Sequence, residues 1–222
     1  MTIMVATPYR SATHPDLLDQ WTENFDLLTY EDRTMALYRN DYGYSFDYST
    51  NAKARNELIE KFLNRGIKDV LWIDIDITEI PDDLIERLLE YRSRTECQIV
   101  APMIYIHRKD SEIDVFYDVG GFQQNGKWIA SDCAEPPFDV NRDLDSVGSC
   151  YLIPAEIYRA GAKYAPHVSE YHHSYDPEHV SVMLFARKRG YRIRADQSTV
   201  VWHAWLPDYQ MDWQKGTECP KL

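Results

Sequence analysis

The sequence predicts an α/β fold, a central and mostly parallel sheet flanked by helices. Two observations carry this expectation. Short apolar runs of strand length alternate with segments whose apolar residues recur at helical spacing. No Pro-, Gly- or Ser-rich linker divides the 222 residues, so the alternation builds one layered sheet rather than separate units. A single domain is expected over residues 1–207, with 208–222 a C-terminal tail or the start of a linker.

Taken in order, Thr2–Thr7 (TIMVAT) is an apolar run ended by Pro8, a first strand. Asn51–Arg65 places Ala54, Leu58, Ile59, Phe62 and Leu63 on one helical face, with Gly66 as its stop. Asp69–Ile73 is the next strand. Pro81 then stands near the start of a helix whose inner face holds Leu84, Ile85, Leu88 and Leu89. Gln98–Met103 follows as a strand. Residues 104–145 are polar and rich in loops, and Asn125-Gly126 between two apolar pairs signals a hairpin. Regular structure resumes with a strand at Ser149–Ile153 and a short helix from Pro154. His167–Tyr175 (HVSEYHHSY) is expected to be a mobile loop. Pro177–Arg189 is a helix stopped by Gly190, and two strands close the pattern at Tyr191–Ala195 and Val200–His203.

Composition narrows the function classes. A formal net charge of -12 repels a phosphate backbone, so nucleic acid is not an expected partner. An anionic nucleotide would need a metal or local basic groups. The 16 Tyr and 6 Trp suit stacking on sugar rings, and equally suit a core. Cys97, Cys133, Cys150 and Cys219 form no C-x-x-C pair, which argues against a zinc cage. The opening MTIMVATPYR is no signal peptide, and no apolar run nears the roughly 20 residues of a membrane helix. A cytoplasmic protein without a membrane segment is expected, unless the chain is a domain cut from a larger protein.

The stretch Val70-Leu71-Trp72-Ile73-Asp74-Ile75-Asp76-Ile77-Thr78 carries the chemistry. If it is extended throughout, Asp74 and Asp76 point the same way, at the carboxyl end of a strand, where open α/β sheets bind ligands. Two hard oxygens there suit Mg²⁺ or Mn²⁺. Strand-end capping is the bland alternative. A sharper rival is a haloacid-dehalogenase-type phosphatase, whose D-x-D-x-T signature Asp74, Asp76 and Thr78 match letter for letter. That motif normally follows the first strand of its domain, and here a strand and a helix precede it.

VLWIDIDITEIPDDLIERLLEY resembles the D-x-D region of GT-A-fold glycosyltransferases, Rossmann-like nucleotide-diphospho-sugar transferases. It is closest to the fungal mannan-polymerase family of α-mannosyltransferases. Leu144–Cys150 resembles that family's D-G-V-G-G segment. The stretch from Glu178 to Arg187-Lys188-Arg189-Gly190-Tyr191 resembles its acidic helix and the strand after it. Val200-Val201-Trp202-His203 resembles its late V-x-H, and Ala6-Thr7-Pro8 and Ala54-Arg55-Asn56 resemble nucleotide-pocket segments. The likeness spans about residues 2–205. A similar transferase domain occurs in large algal viruses that glycosylate their own capsid, which would suit an enzyme of the host cytoplasm.

The resemblance implies a metal-dependent glycosyltransferase. Its donor would be a UDP-sugar, or less readily a GDP-sugar, and its acceptor a glycan or glycoprotein. Asp76 and His203, with Asp74, would hold Mn²⁺ (or Mg²⁺). Thr7, Pro8, Arg10, Arg55, Asp74, Ile75, Gly148 and Ser149 would border the nucleotide sugar. An inverting reaction needs a carboxylate base, for which Glu178, Asp176 and Asp145 are candidates. Glu178 also fits a simple helix-start role. Tyr171, His172, His173 and Tyr175 are candidates for an acceptor lid. Residues 104–145 match the family poorly, so mannose is not carried over. A non-catalytic subunit on a transferase fold remains the third alternative.

Overall fold

A computed structural model describes residues 2–9, 13, 15–40, 48–106, 114–116, 121–129, 139, 142–169 and 175–204. Arg10, Tyr171, His172, His173, the side chain of Tyr175 and the tail 208–222 lie outside the described residues. The elements in chain order are β1 (Thr2–Tyr9), α1 (Pro15–Leu27), β2 (Arg33–Arg39), α2 (Tyr48–Phe62), β3 (Ile67–Ile73), β4 (Ile77–Glu79) and α3 (Leu84–Thr95). Then come β5 (Ile99–Ile106), β6 (Val115–Phe116), β7 (Gln123–Gln124), β8 (Lys127–Trp128), β9 (Cys150–Pro154) and α4 (Ala155–Arg159). The last four are β10 (His167–Val168), β11 (Tyr175–Asp176), α5 (His179–Arg187) and β12 (Ile193–His203).

The main sheet has eight strands, ordered β2-β1-β3-β9-β5-β12-β4 with β6 on β5. β1, β2, β3, β5 and β12 share one direction, while β9, β4 and β6 run against their neighbours. The sheet is mostly parallel, as expected. Val70, Leu71, Trp72 and Ile73 of β3 are fully buried, as a central strand covered on both faces requires. Leu84, Ile85 and Leu88 of α3 and Ala54 and Leu58 of α2 pack inward at helical spacing. No helix among the described residues is long and apolar enough to cross a membrane.

Local rules hold at the hairpin. Asn125 (φ 53°) and Gly126 (φ 71°) are both left-handed between β7 and β8, the backbone that a two-residue turn demands. Four expectations change. α2 ends at Phe62 rather than Arg65. His167–Tyr175 is no simple loop, because β10 and β11 pair across it. The two closing strands are one strand, β12, interrupted by a bulge between Asp196 and Val200. There the Asp196 carboxylate accepts from the Ser198 amide (3.0 Å), the Ser198 hydroxyl (2.7 Å) and the Thr199 hydroxyl (2.6 Å). Finally, α1 and β2 were not expected. α1 buries Trp21, whose indole N–H donates to the Ile73 carbonyl (2.9 Å), while the Asn24 amide donates to the Ile77 and Thr78 carbonyls (3.3 and 3.1 Å). α1 therefore fixes the backbone on both sides of the two aspartates.

Candidate active site

β3 ends at Ile73, and Asp74 to Ile77 is a turn closed by the Ile77 amide on the Asp74 carbonyl (3.0 Å). The two carboxylates are thus placed by a turn, not by strand alternation as an extended segment would have it. Two neighbours pin this turn. The Asp74 amide donates to the Ser149 carbonyl (2.8 Å), and the Ala204 amide donates to the Asp76 carbonyl (2.7 Å). β4 follows at once and pairs antiparallel with β12, His203 opposite Ile77. That register delivers His203 to Asp76, with Nε2 3.1 Å from Oδ2. His203 Nδ1 lies 2.8 Å from the Ala204 carbonyl. An Nδ1–H donated there leaves Nε2 as the nitrogen facing Asp76, the arrangement common behind metal-bound imidazoles. Burial alone would raise the Asp76 carboxyl, but the His203 imidazole and hydrogen bonds outweigh it and hold the group below its usual value.

Asp74 faces another partner. Arg55 of α2 donates through Nη2 to Asp74 Oδ1 (2.6 Å) and through Nε to Glu178 Oε1 (3.0 Å). Its guanidinium lies over the rings of Trp72 (4.7 Å) and Tyr164 (5.7 Å). Nη1 is buried and has no hydrogen-bond partner among the described residues. Burial pushes the Asp74 carboxyl up to about 6; Arg55 opposes this, while Asp76 and Glu178 add to it. Beneath the guanidinium lies a hydroxyl cluster. The Trp72 indole donates to the Tyr158 hydroxyl (2.8 Å), and the Tyr164 hydroxyl is 2.6 Å from that of Tyr158 and 2.9 Å from that of Tyr151. Burial pushes all three phenols up, Tyr158 to about 12, so they stay neutral.

Arg55, expected beside the nucleotide, is only 4% exposed and is spent on two carboxylates from below. Glu178 is the residue before α5, but its side chain makes no cap bond and serves Arg55 instead. Asp145 does not stand free as a base. Its Oδ1 meets Arg187 Nη1 (2.6 Å) and its Oδ2 accepts the Gly126 amide (2.6 Å), tying the hairpin to α5. Asp176 is buried between Gln123 and His167. Thr7 is buried, with its hydroxyl directed at the Pro8 carbonyl (3.3 Å), and Pro8 and Ile75 are half-buried. Gly148 is required by space: a Cβ there would stand 2.9 Å from Gly121 Cα and 2.9 Å from His179 Cε1. Ser149 adopts a positive φ (52°) where its carbonyl receives Asp74. The Thr78 hydroxyl donates to the Trp202 carbonyl (3.4 Å), a structural use of the third residue of the phosphatase signature.

Sequence reasoning missed Trp21, Asn24, Gln123, His167 and the tyrosine cluster. Pro15-Asp16 followed by Leu17, Trp21 and Phe25 at helical spacing was a readable signal for α1. The tyrosines converge only through tertiary packing and carry no local pattern.

A model of the Anp1 family matches residues 49–136, less than half of the chain and the part that holds Arg55, Asp74 and Asp76. S. aureus TarS 1–349 in complex with UDP-GlcNAc superposes with a TM-score of 0.60 at 8% identity, over 93% of this chain and 59% of that one. The fold is that of the GT-A glycosyltransferases. A second TarS structure gives a TM-score of 0.56 at 10% identity, over 93% of this chain but 37% of that one. The catalytic domain of Drosophila β1,4-galactosyltransferase 7, complexed with xylobiose, gives 0.55 at 12% identity, over 98% and 76%. The chain thus spans little more than a third of one TarS chain and about three fifths of the other.

Among the described residues no group of three or more His, Cys, Asp or Glu forms a metal cage. Asp76 and His203 make a two-residue donor set. Such a set fits a hard divalent cation that completes its shell with water and substrate phosphate.

Proposed function

We propose that this protein is a metal-dependent glycosyltransferase that moves a sugar from a UDP-sugar to a hydroxyl of a glycan or glycoprotein. The observation that carries it is the Asp76–His203 pair, 3.1 Å apart, at the carboxyl end of β3 in a GT-A fold. The Anp1 match over this segment and the UDP-GlcNAc bound by TarS support the transferase class and the uridine donor. Asp76 and His203 would hold Mn²⁺ or Mg²⁺. When bound, the cation supplies Lewis-acid stabilisation of the charge that gathers on the departing diphosphate.

The chain's own residues do the rest. Asp76, whose carboxyl is held below its usual value, is ionised and ready for a cation at neutral pH, which His203 would meet through an unprotonated Nε2. Asp74 is held in place by Arg55 from below, leaving its second oxygen for the donor. Arg55 is held from swinging toward solvent, because its guanidinium packs on the Trp72 and Tyr164 rings and Glu178 holds its Nε. Such preorganisation lowers the cost of meeting the charged donor.

The test is release of UDP from UDP-glucose, UDP-galactose and UDP-GlcNAc with Mn²⁺ present. Turnover of one donor, lost in Asp76→Asn and on chelation, is expected. Phosphate-ester hydrolysis with no release of UDP would overturn the transferase in favour of the phosphatase.

A further inference from the structure

We propose that Asn125 is a latent deamidation site, kept intact in the folded chain by the hydrogen bond between the Gly126 amide and Asp145. This modification site is independent of the transferase function above. The sequence holds one Asn-Gly pair, Asn125-Gly126. Glycine has no side chain to crowd the approach of its own nitrogen, so in an open chain this asparagine is the one most prone to the reaction. In the fold the pair forms the tip of the β7–β8 hairpin, with Asn125 exposed and Gly126 buried.

The reaction runs through one atom, the Gly126 nitrogen. It gives its proton to hydroxide and bonds to Asn125 Cγ. The bond from that carbon to the side-chain nitrogen then breaks. The leaving nitrogen takes a proton from water and departs as ammonia, which returns the hydroxide. Water opens the resulting five-membered imide at either carbonyl, giving aspartate or isoaspartate.

In the fold that nitrogen is engaged. Its N–H donates to Asp145 Oδ2 (2.6 Å). Removing the proton would set a negative nitrogen against a carboxylate. Turning the nitrogen toward Asn125 would strip a buried carboxylate oxygen of its donor. Asp145 is itself fixed. Its side chain is 11% exposed, and Oδ1 meets Arg187 Nη1 (2.6 Å). Its amide donates to the Gln123 carbonyl (2.7 Å), and the Gln123 amide donates to the Ser146 carbonyl (3.1 Å). β7 and β8 pair over two residues each, too short a ladder to hold the tip closed unaided. The Asp145 carboxylate is therefore the gate.

Either product opposes the closed turn. Both add a carboxylate next to Asp145, and like charges at that range repel. Isoaspartate also inserts a methylene into a backbone whose two tip residues are both left-handed, at φ 53° and 71°. Deamidation thus unlocks the hairpin tip from Asp145 and does not reverse.

The experiment holds the whole chain in mildly alkaline buffer at body temperature. Mass spectrometry follows the peptide that carries Asn125, and chromatography resolves isoaspartate. The arms are the native chain, the native chain in concentrated urea, Asp145→Ala and Asp145→Asn, with the fold of each variant checked by circular dichroism. The folded native chain should deamidate at least about tenfold more slowly than the chain in urea, the protection sustained by a hydrogen bond to a charged group that must break first. Folded Asp145→Ala should react at least about fivefold faster than the folded native chain. Asp145→Asn keeps an acceptor oxygen without the charge. It should react at a rate between the two, and it carries the test should Asp145→Ala unfold. A smaller protection of the native chain, or folded variants no faster than native, overturns the gate. No deamidation of Asn125 even in urea overturns the site itself.

Discussion

Replacing Arg55 with methionine deletes the cation that Asp74 and Glu178 share, while keeping an apolar stem against Trp72 and Tyr164. The guanidinium is 4% exposed and bonds both carboxylates, at 2.6 and 3.0 Å. Removing one partner of a buried pair typically costs about 3–5 kcal/mol, because the remaining charge is left desolvated. The lost contact with the two rings costs about 0.5–2 kcal/mol, part of which methionine recovers. A total of about 3–5 kcal/mol is a third or more of a typical domain's stability. Urea unfolding followed by tryptophan fluorescence should show the midpoint falling by roughly 1–3 M. Acid should soften the loss. The Asp74 carboxyl is already raised to about 6 with Arg55 present, mainly by burial, and losing Arg55 drives it higher. The penalty for its charge is therefore full above that range and fades as pH falls toward the unfolded value of about 3.9. Adding Asp74→Asn and Glu178→Gln to the Arg55→Met chain should return at least half of the lost stability. A midpoint within about 0.3 M of native, or a triple variant no more stable than Arg55→Met alone, would refute the idea that Arg55 neutralises this pair.

Three further outcomes follow from the same geometry. Tyr164→Phe removes the hydroxyl shared by Tyr151 and Tyr158 and should cost about 1–3 kcal/mol in urea unfolding; a neutral result would mean the cluster is dispensable. Gly148→Ala drives a methyl to 2.9 Å from the Gly121 backbone and the His179 ring, and should lower stability by about 1–3 kcal/mol, read by thermal unfolding. Mn²⁺ affinity should rise as pH increases through about 6, where Asp74 loses its proton and adds its charge beside Asp76; a flat calorimetric titration from about pH 5 to 8 would contradict this.

Much of the site was legible because its residues sit where strong local patterns end. An unbroken apolar run ending at Ile73 marks a buried central strand, so two aspartates directly after it stand out. His203 was legible for the same reason, at the end of Val200–Trp202. The partners of these residues were not legible. Arg55 lies on a helix whose sequence is equally good for a surface, and only its 123-residue separation from Glu178, closed in space, shows that it is a buried clamp. Asp145 illustrates the converse: its acidic character fitted a base, but Arg187 and the Gly126 amide, remote in sequence, claim both oxygens. The DxD turn was misjudged because strand alternation was extended past Ile73, where the bonds from Ser149 and Ala204 bend the chain instead.

The central claim is that Asp76 and His203 hold a divalent cation for a uridine nucleotide, and thermal unfolding of the native chain with UDP and Mn²⁺ tests it most directly. At UDP about a hundredfold above its Kd, binding adds about 2.7 kcal/mol, or roughly 5–10 °C in Tm for a chain of this size. The account predicts that shift with UDP and Mn²⁺ together, a much smaller one with either alone, and its loss in Asp76→Asn. An equal shift from UDP without Mn²⁺, or a full shift in Asp76→Asn, would contradict it.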